Sequence, residues 1–209
     1  MPRASKPKDI YRHSDKAIKH LKRAIPAMYQ NFSHKLAGWD ELNLIRVKED
    51  VDQLFAEMDR VVRNEYVKIA REAKKDVDGD PVGINLIWLG LMLSAFSPVT
   101  NYQYPAEWRR KRDRTVESLM SSVGNPQLGR TLLRRSMTIT LRQITQFCDI
   151  ITDDARKTAY EQAGVKKVRW VTQQDAKVCS VCRSRSNHIY DLASVPPKHP
   201  NCRCYLIPV

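Results

Sequence analysis

Four of the five cysteines fall between residues 179 and 204, as Cys179-x2-Cys182 and then, after sixteen intervening residues, His199-x2-Cys202-x-Cys204. No other feature constrains the fold so tightly. A tetrahedral metal ion takes four soft or borderline ligands, each roughly 2 Å away. Two cysteines two residues apart reach one ion from a tight turn, and a second turn must supply the other ligands. His199 and Cys202 have a fitting spacing, and Cys204 competes with Cys202. In an extended chain residues 202 and 204 point the same way, so both can face the ion. Pro196, Pro197 and Pro200 stiffen the approach and lower the entropy lost on closure. The competing reading is a set of buried free thiols, or a disulfide formed after lysis. Clustered cysteines in a reducing compartment more often ligate metal. The expected cofactor is zinc, and a closed four-ligand site is structural because no position is left for substrate water. So short a module has little core, and a metal clip would supply much of its stability. Asp175, four residues before Cys179, is expected to bond backbone amides in the turn. A catalytic role for it lacks a paired nucleophile or general acid.

Upstream, the periodicity is helical. Ile18, Leu21, Ile25, Met28 and Phe32 recur at helical spacing after Ser14, a plausible N-cap, with Pro26 as a possible kink and Gly38 as the close. A second amphipathic helix is predicted over 41–75, with the stripe Leu44, Val47, Val51, Leu54, Met58, Val61, Val62, Tyr66 and Ile69. Residues 76–81 read as a turn. Their Asp-x-Asp-Gly-Asp pattern resembles half of a calcium loop, but the twelfth position is Ile87 where glutamate is required. The apolar run 84–96 is too short for a membrane span, which needs roughly 20 residues, and is read as a buried core helix. A basic helix follows over 106–122, then a break at Gly124-Asn125-Pro126. A long helix is expected over 127–162, with Asp153 and Asp154 as a possible interruption and Gly164 as its end. From Val165 to Val171 apolar and basic residues alternate, as in a half-exposed strand. The fold class is therefore mainly α: a basic arm over 1–13, a long-helix scaffold over 14–164, and a small α+β metal-binding module over 165–209.

The net charge of +13 favours a polyanionic or acidic partner without choosing among DNA, RNA, an anionic membrane and an acidic protein face. The surplus is blocked: residues 1–36 carry nine Lys/Arg against two Asp/Glu, 105–135 eight against three, and 165–209 eight against two, whereas 37–80 carry eight against twelve. Arg109, Arg110, Lys111, Arg112 and Arg114 are the candidate contacts to DNA phosphates or to an acidic protein surface, with Trp108 beside them available to stack. The bland reading is a solvated helix face. The N-terminus is charged and has no apolar segment after it, so no secretory signal is expected and the chain reads as soluble and made in the cytosol. A phosphate-binding glycine loop, a zinc-protease helix and a G-x-S-x-G elbow are all missing from the sequence, which gives no reason to expect an enzyme.

The run Tyr160-x2-Ala163-Gly164-Val165-x2-Val168-x-Trp170-Val171-Thr172-x2-Asp175-x2-Val178-Cys179-x2-Cys182, followed by Pro196-Pro197-Lys198-His199-Pro200-Asn201-Cys202-Arg203-Cys204-x-Leu206-x-Pro208, resembles the phage Mu F-like minor head protein (phage head morphogenesis) family. The likeness covers about 130–209, and His-Pro-Asn-Cys-Arg-Cys is its most specific part. It implies a low-copy virion protein in the capsid interior near the portal, assembled in the bacterial host cytoplasm. The expected partners are the portal protein, a capsid or scaffolding protein, and double-stranded DNA bound without sequence preference, with no membrane. It also implies metal ligation by Cys179, Cys182, His199, Cys202 and Cys204. Where the family usually has a glycine before an aromatic, this chain has Asn187-His188-Ile189-Tyr190. Asn187 can take the left-handed conformation of a glycine, and His188 adds a surplus candidate ligand. Two rivals stand beside this reading: a zinc-containing DNA-binding regulator, and a metal-dependent enzyme or toxin.

Overall fold

The computed structural model describes residues 10–40, 44–94, 103–172, 178–198, 202 and 204–209. The elements run α1 (Arg12–Phe32), a 3-10 segment (Ser33–Gly38), α2 (Leu44–Asp78), α3 (Leu86–Ser94), α4 (Tyr104–Met120), α5 (Pro126–Gln162), β1 (Lys167–Val171), α6 (Ser180–Arg185), β2 (Ile189–Asp191), a 3-10 turn (Leu192–Ser194) and β3 (Tyr205–Pro208). The chain is thus mainly α, with long helices followed by a small strand-and-cysteine region. No described helix is long and apolar enough to cross a membrane.

The scaffold core follows from the helical stripes. Leu21, Ile25 and Tyr29 of α1 meet Val51, Met58 and Val62 of α2 and Leu133, Ile144 and Ile151 of α5 in one apolar cluster. α5 is the spine, touching α1, α2 and α4. The Tyr66 hydroxyl donates to the Ile144 carbonyl at 2.8 Å, which gives a buried polar group its partner. Phe55, outside the predicted stripe, is buried edge-on to Trp108, while Leu44, inside it, is exposed.

Several expectations are corrected. α1 starts at Arg12, so Ser14 is no N-cap: it is buried in the first turn and its hydroxyl donates to Asp149. Residues 10 and 11, assigned to a basic arm, are buried against Tyr205 of β3. α2 runs through Asp78, and the turn begins only at Gly79, whose φ of 83° closes the helix. The apolar helix is only partly buried, since Leu89 and Leu93 face the core while Leu86, Ile87 and Leu91 face outward. α5 passes Asp153 and Asp154 without a break, because Asp153 is held by Lys198 at 2.6 Å and Tyr11 at 2.9 Å. Its start is as expected: the Asn125 side chain accepts from the Leu128 amide at 3.0 Å, with Pro126 in the first turn.

The module is a three-stranded antiparallel sheet in the order β2-β1-β3. Val168 and Trp170 of β1 point inward and are fully buried, as the alternation predicts. The sheet leans on the scaffold through Val168 and Leu192, which pack on Val77 of α2 and on Ala159 and Tyr160 of α5. Asn187 has a φ of 64°, the left-handed geometry expected in place of a glycine, and its amide donates to the Trp170 carbonyl at 2.8 Å.

Candidate metal centre

Three sulfurs come together from two sequence-distant turns. Cys182 sits on α6, and Cys202 and Cys204 lead into β3. All three are buried, and their sulfurs lie within 4.8 Å of one another. The Cys182 and Cys202 sulfurs are 3.5 Å apart. Sulfurs at about 2.3 Å from a tetrahedral ion stand about 3.8 Å from each other, so this pair is spaced close to one edge of such a site. The alternation argument, that 202 and 204 share a face of an extended chain, holds: both sulfurs enter the cluster.

Cys179 forms the rim. It is the N-cap of α6, half-exposed, and its sulfur accepts from the Cys182 amide at 3.3 Å. That amide hydrogen bond, with smaller help from Val181, draws its thiol below the usual range. Cys204 is also drawn down, first by the hydrogen bond from the Cys202 thiol. The same Cys202–Cys204 bond pushes Cys202 up, and burial pushes Cys182 up to about 12. Two sulfurs thus favour the thiolate and two resist it. A divalent cation among them would supply the positive charge that the resisting pair lacks.

The surroundings are aromatic. Trp170 is buried against all three clustered cysteines, Tyr190 meets its ring at 6.4 Å, and the Arg185 guanidinium lies 5.3 Å from its centroid. The donor set is sulfur-rich, dry and backed by an apolar wall, so it fits a thiophilic ion and suits calcium or magnesium poorly. His199 and Asp175 lie outside the described residues. His188 is exposed and edge-on to Tyr190, away from the sulfurs. Cys148 stands apart on α5 and is buried.

Sequence reasoning missed the seam that joins this centre to the scaffold. The Tyr11 hydroxyl lies 2.9 Å from Asp153 Oδ1 and 2.9 Å from the Cys204 carbonyl, Lys198 Nζ lies 3.1 Å from that hydroxyl, and Lys198 pairs with Asp153 at 2.6 Å. The N-terminus, α5 and the second cysteine turn therefore meet in one buried polar knot. The only sequence signal was the apolar pair Ile10-Tyr11 inside an otherwise charged segment.

The basic cluster of α4 is less available than its sequence suggests. Arg110 is paired with Glu107 at 2.6 Å, and Arg112 with Asp113 at 2.8 Å and Asp52 at 3.3 Å. Lys111 is half-buried, while Arg109 and Arg114 are exposed. Trp108, read as free to stack on a base, is instead buried and stacked on Tyr104 at 5.5 Å. No protein-family model, curated protein or solved structure matches the chain.

Proposed function

We propose that this chain is a phage minor capsid protein that associates with the portal inside the procapsid and aids head assembly and DNA packaging or delivery. The reading starts from the resemblance of residues 130–209 to the Mu F-like minor head family. The observation that supports it is the sulfur cluster: Cys182 comes from the entry motif and Cys202 and Cys204 from the closing motif, and the fold gathers all three. The proposed cofactor is zinc, held by Cys182, Cys202 and Cys204 with Cys179 as fourth donor and His199 as its competitor. Zinc would cross-link the α6 turn to the strand β3. A site with four protein ligands has no open position, so the role proposed for the metal is structural and not catalytic.

The portal is the proposed principal partner, with a capsid or scaffolding protein as a further one, and the place of action is the virion interior. The test is co-expression with the portal subunit and size-exclusion chromatography at low and high salt, with zinc assayed in each peak. Co-elution with the portal oligomer, one zinc per chain, is the expected result. Failure to associate, together with tight binding to one DNA sequence, would replace this reading with the regulator. An exchangeable water on the metal would replace it with the enzyme.

A further inference from the structure

α2 and α5 carry their exposed charges differently. α2 carries both signs, and Lys48–Asp52, Arg63–Asp59 and Lys68–Glu65 pair along it, although Arg46, Arg60 and Arg71 are exposed and form no salt bridge among the described residues. The first two-thirds of α5 has no such pairing. From Pro126 to Cys148 it contains Arg130, Arg134, Arg135 and Arg142 and no aspartate or glutamate. All four arginines are exposed, and none forms a salt bridge among the described residues.

Residues four apart are neighbours on a helix surface, so Arg130, Arg134 and Arg142 lie on one inclined row that winds about 120° around α5, with Thr138 at the intervening place and Arg135 flanking it. The row is about 18 Å long at 1.5 Å per residue. Thr138 does not hold any of these side chains, because its hydroxyl turns back to the Arg134 carbonyl at 3.0 Å. Like charges at this spacing repel and weaken a helix. A partner of opposite charge would relieve that repulsion.

We propose that this face of α5 binds the phosphate backbone of double-stranded DNA without regard to sequence. Guanidinium forks match phosphate oxygens, and a run of four of them without an interleaved carboxylate matches the dense charge of a duplex. A protein partner would instead need apolar anchors at the centre of the patch. The exposed apolar residues here, Leu128 and Ile139, lie at its margin. α5 exposes no aromatic ring on which unpaired bases could stack, so a single strand fits less well. The structure thus moves the expected phosphate contact from α4, where two of the five cations are tied down, to α5. The proposal does not rest on the minor-head reading, and failure to bind a portal would leave it untouched.

The test uses the full chain and a fluorescent 30-base-pair duplex titrated from 50 to 200 mM salt. Replacing Arg130, Arg134, Arg135 and Arg142 together by Gln should weaken binding at least tenfold at the low-salt end. It should also flatten the slope of log affinity against log salt by about 3 to 4. A scrambled duplex should give the same values. The quadruple Lys variant keeps the charge and should keep the slope, which separates charge from any loss of fold. Arg109→Gln with Arg114→Gln should flatten the slope by no more than about 2. The proposal is overturned if the parent does not bind at 50 mM salt or if the Gln variant binds within twofold of it. It is overturned equally if the α4 pair matters more, or if the Gln variant loses poly-glutamate binding and keeps DNA binding, which would point to an acidic protein.

Discussion

Five helices enclose an apolar core that runs from Ala17 of α1 to Ala155 of α5, whereas the C-terminal module encloses one indole and three cysteine sulfurs. The first region buries enough hydrocarbon to hold its shape by packing alone. The second presents Trp170 and three thiols to its own interior, edged by Val178, Tyr190, Val195 and Leu206, and two of the thiols resist ionisation. It borrows further apolar cover from Val77, Ala159 and Tyr160 of the scaffold. The lesson is that one chain can divide its means of stabilisation. Volume holds the helices, whereas the sheet rests on a polar seam and, on the proposed reading, on a metal bound by its sulfurs.

The sharpest way to break that contrast is Cys179→Ser with Cys182→Ser. Metal should be lost and residues 165–209 should unfold, while the helical circular dichroism largely survives. Unaltered zinc content and an unaltered melting curve would sink the assignment of the site. Loss of all helical signal would show that the module is instead a keystone of the scaffold. The reverse experiment acts on volume. Met58 is fully buried in the scaffold core, and Met58→Ala should cost about 2–5 kcal/mol. Its melting temperature should fall steeply, and metal bound per folded chain should stay as in the parent.

Tyr11→Phe probes the seam. It removes a hydroxyl whose single proton lies between Asp153 and the Cys204 carbonyl, and leaves the acceptor that takes that proton without it. The expected cost is about 1–3 kcal/mol. Hydrogen exchange should localise it, rising in β3 and at the start of α1 while the middle of α2 stays protected. Equal deprotection everywhere would mean that module and scaffold open as one unit.

What the sequence could show divides along the same line. The helices were legible because a helix repeats: Leu21, Ile25 and Tyr29 announce a buried face within a few turns. The cysteine turns were legible because close spacing limits where two sulfurs can go. Asn187 was legible as a stand-in for glycine because the left-handed region admits few residues. The seam was not. Tyr11, Asp153 and Lys198 are far apart in the chain, and nothing local to any of them names the others. Trp108 misled for a related reason, since its neighbours in sequence are cations and its neighbours in space are Tyr104 and Phe55.

The smallest expected effect tests whether Asp154, next to the seam's Asp153 on α5, gives the fold a pH dependence. Burial first, and then the charge of Asp153, push Asp154 up to about 7. An unfolded aspartate titrates near 3.9. Between those values the folded chain holds a proton that the unfolded chain has released, so stability from this group is full below about pH 4 and is lost as pH rises toward 7. Asp154→Asn fixes the neutral form. It should leave urea stability at pH 4 nearly unchanged and raise it at pH 8 by about 1–2 kcal/mol. Lys198 and Lys157 hold the shift down to that value, and the gain is set below its full worth because Asp154 is only half-buried and partly screened by water. A variant no more stable than the parent at pH 8 would mean that those lysines already neutralise the carboxylate. The seam would then be a balanced ion cluster, and the difference between the two regions would reduce to packing against sulfur alone.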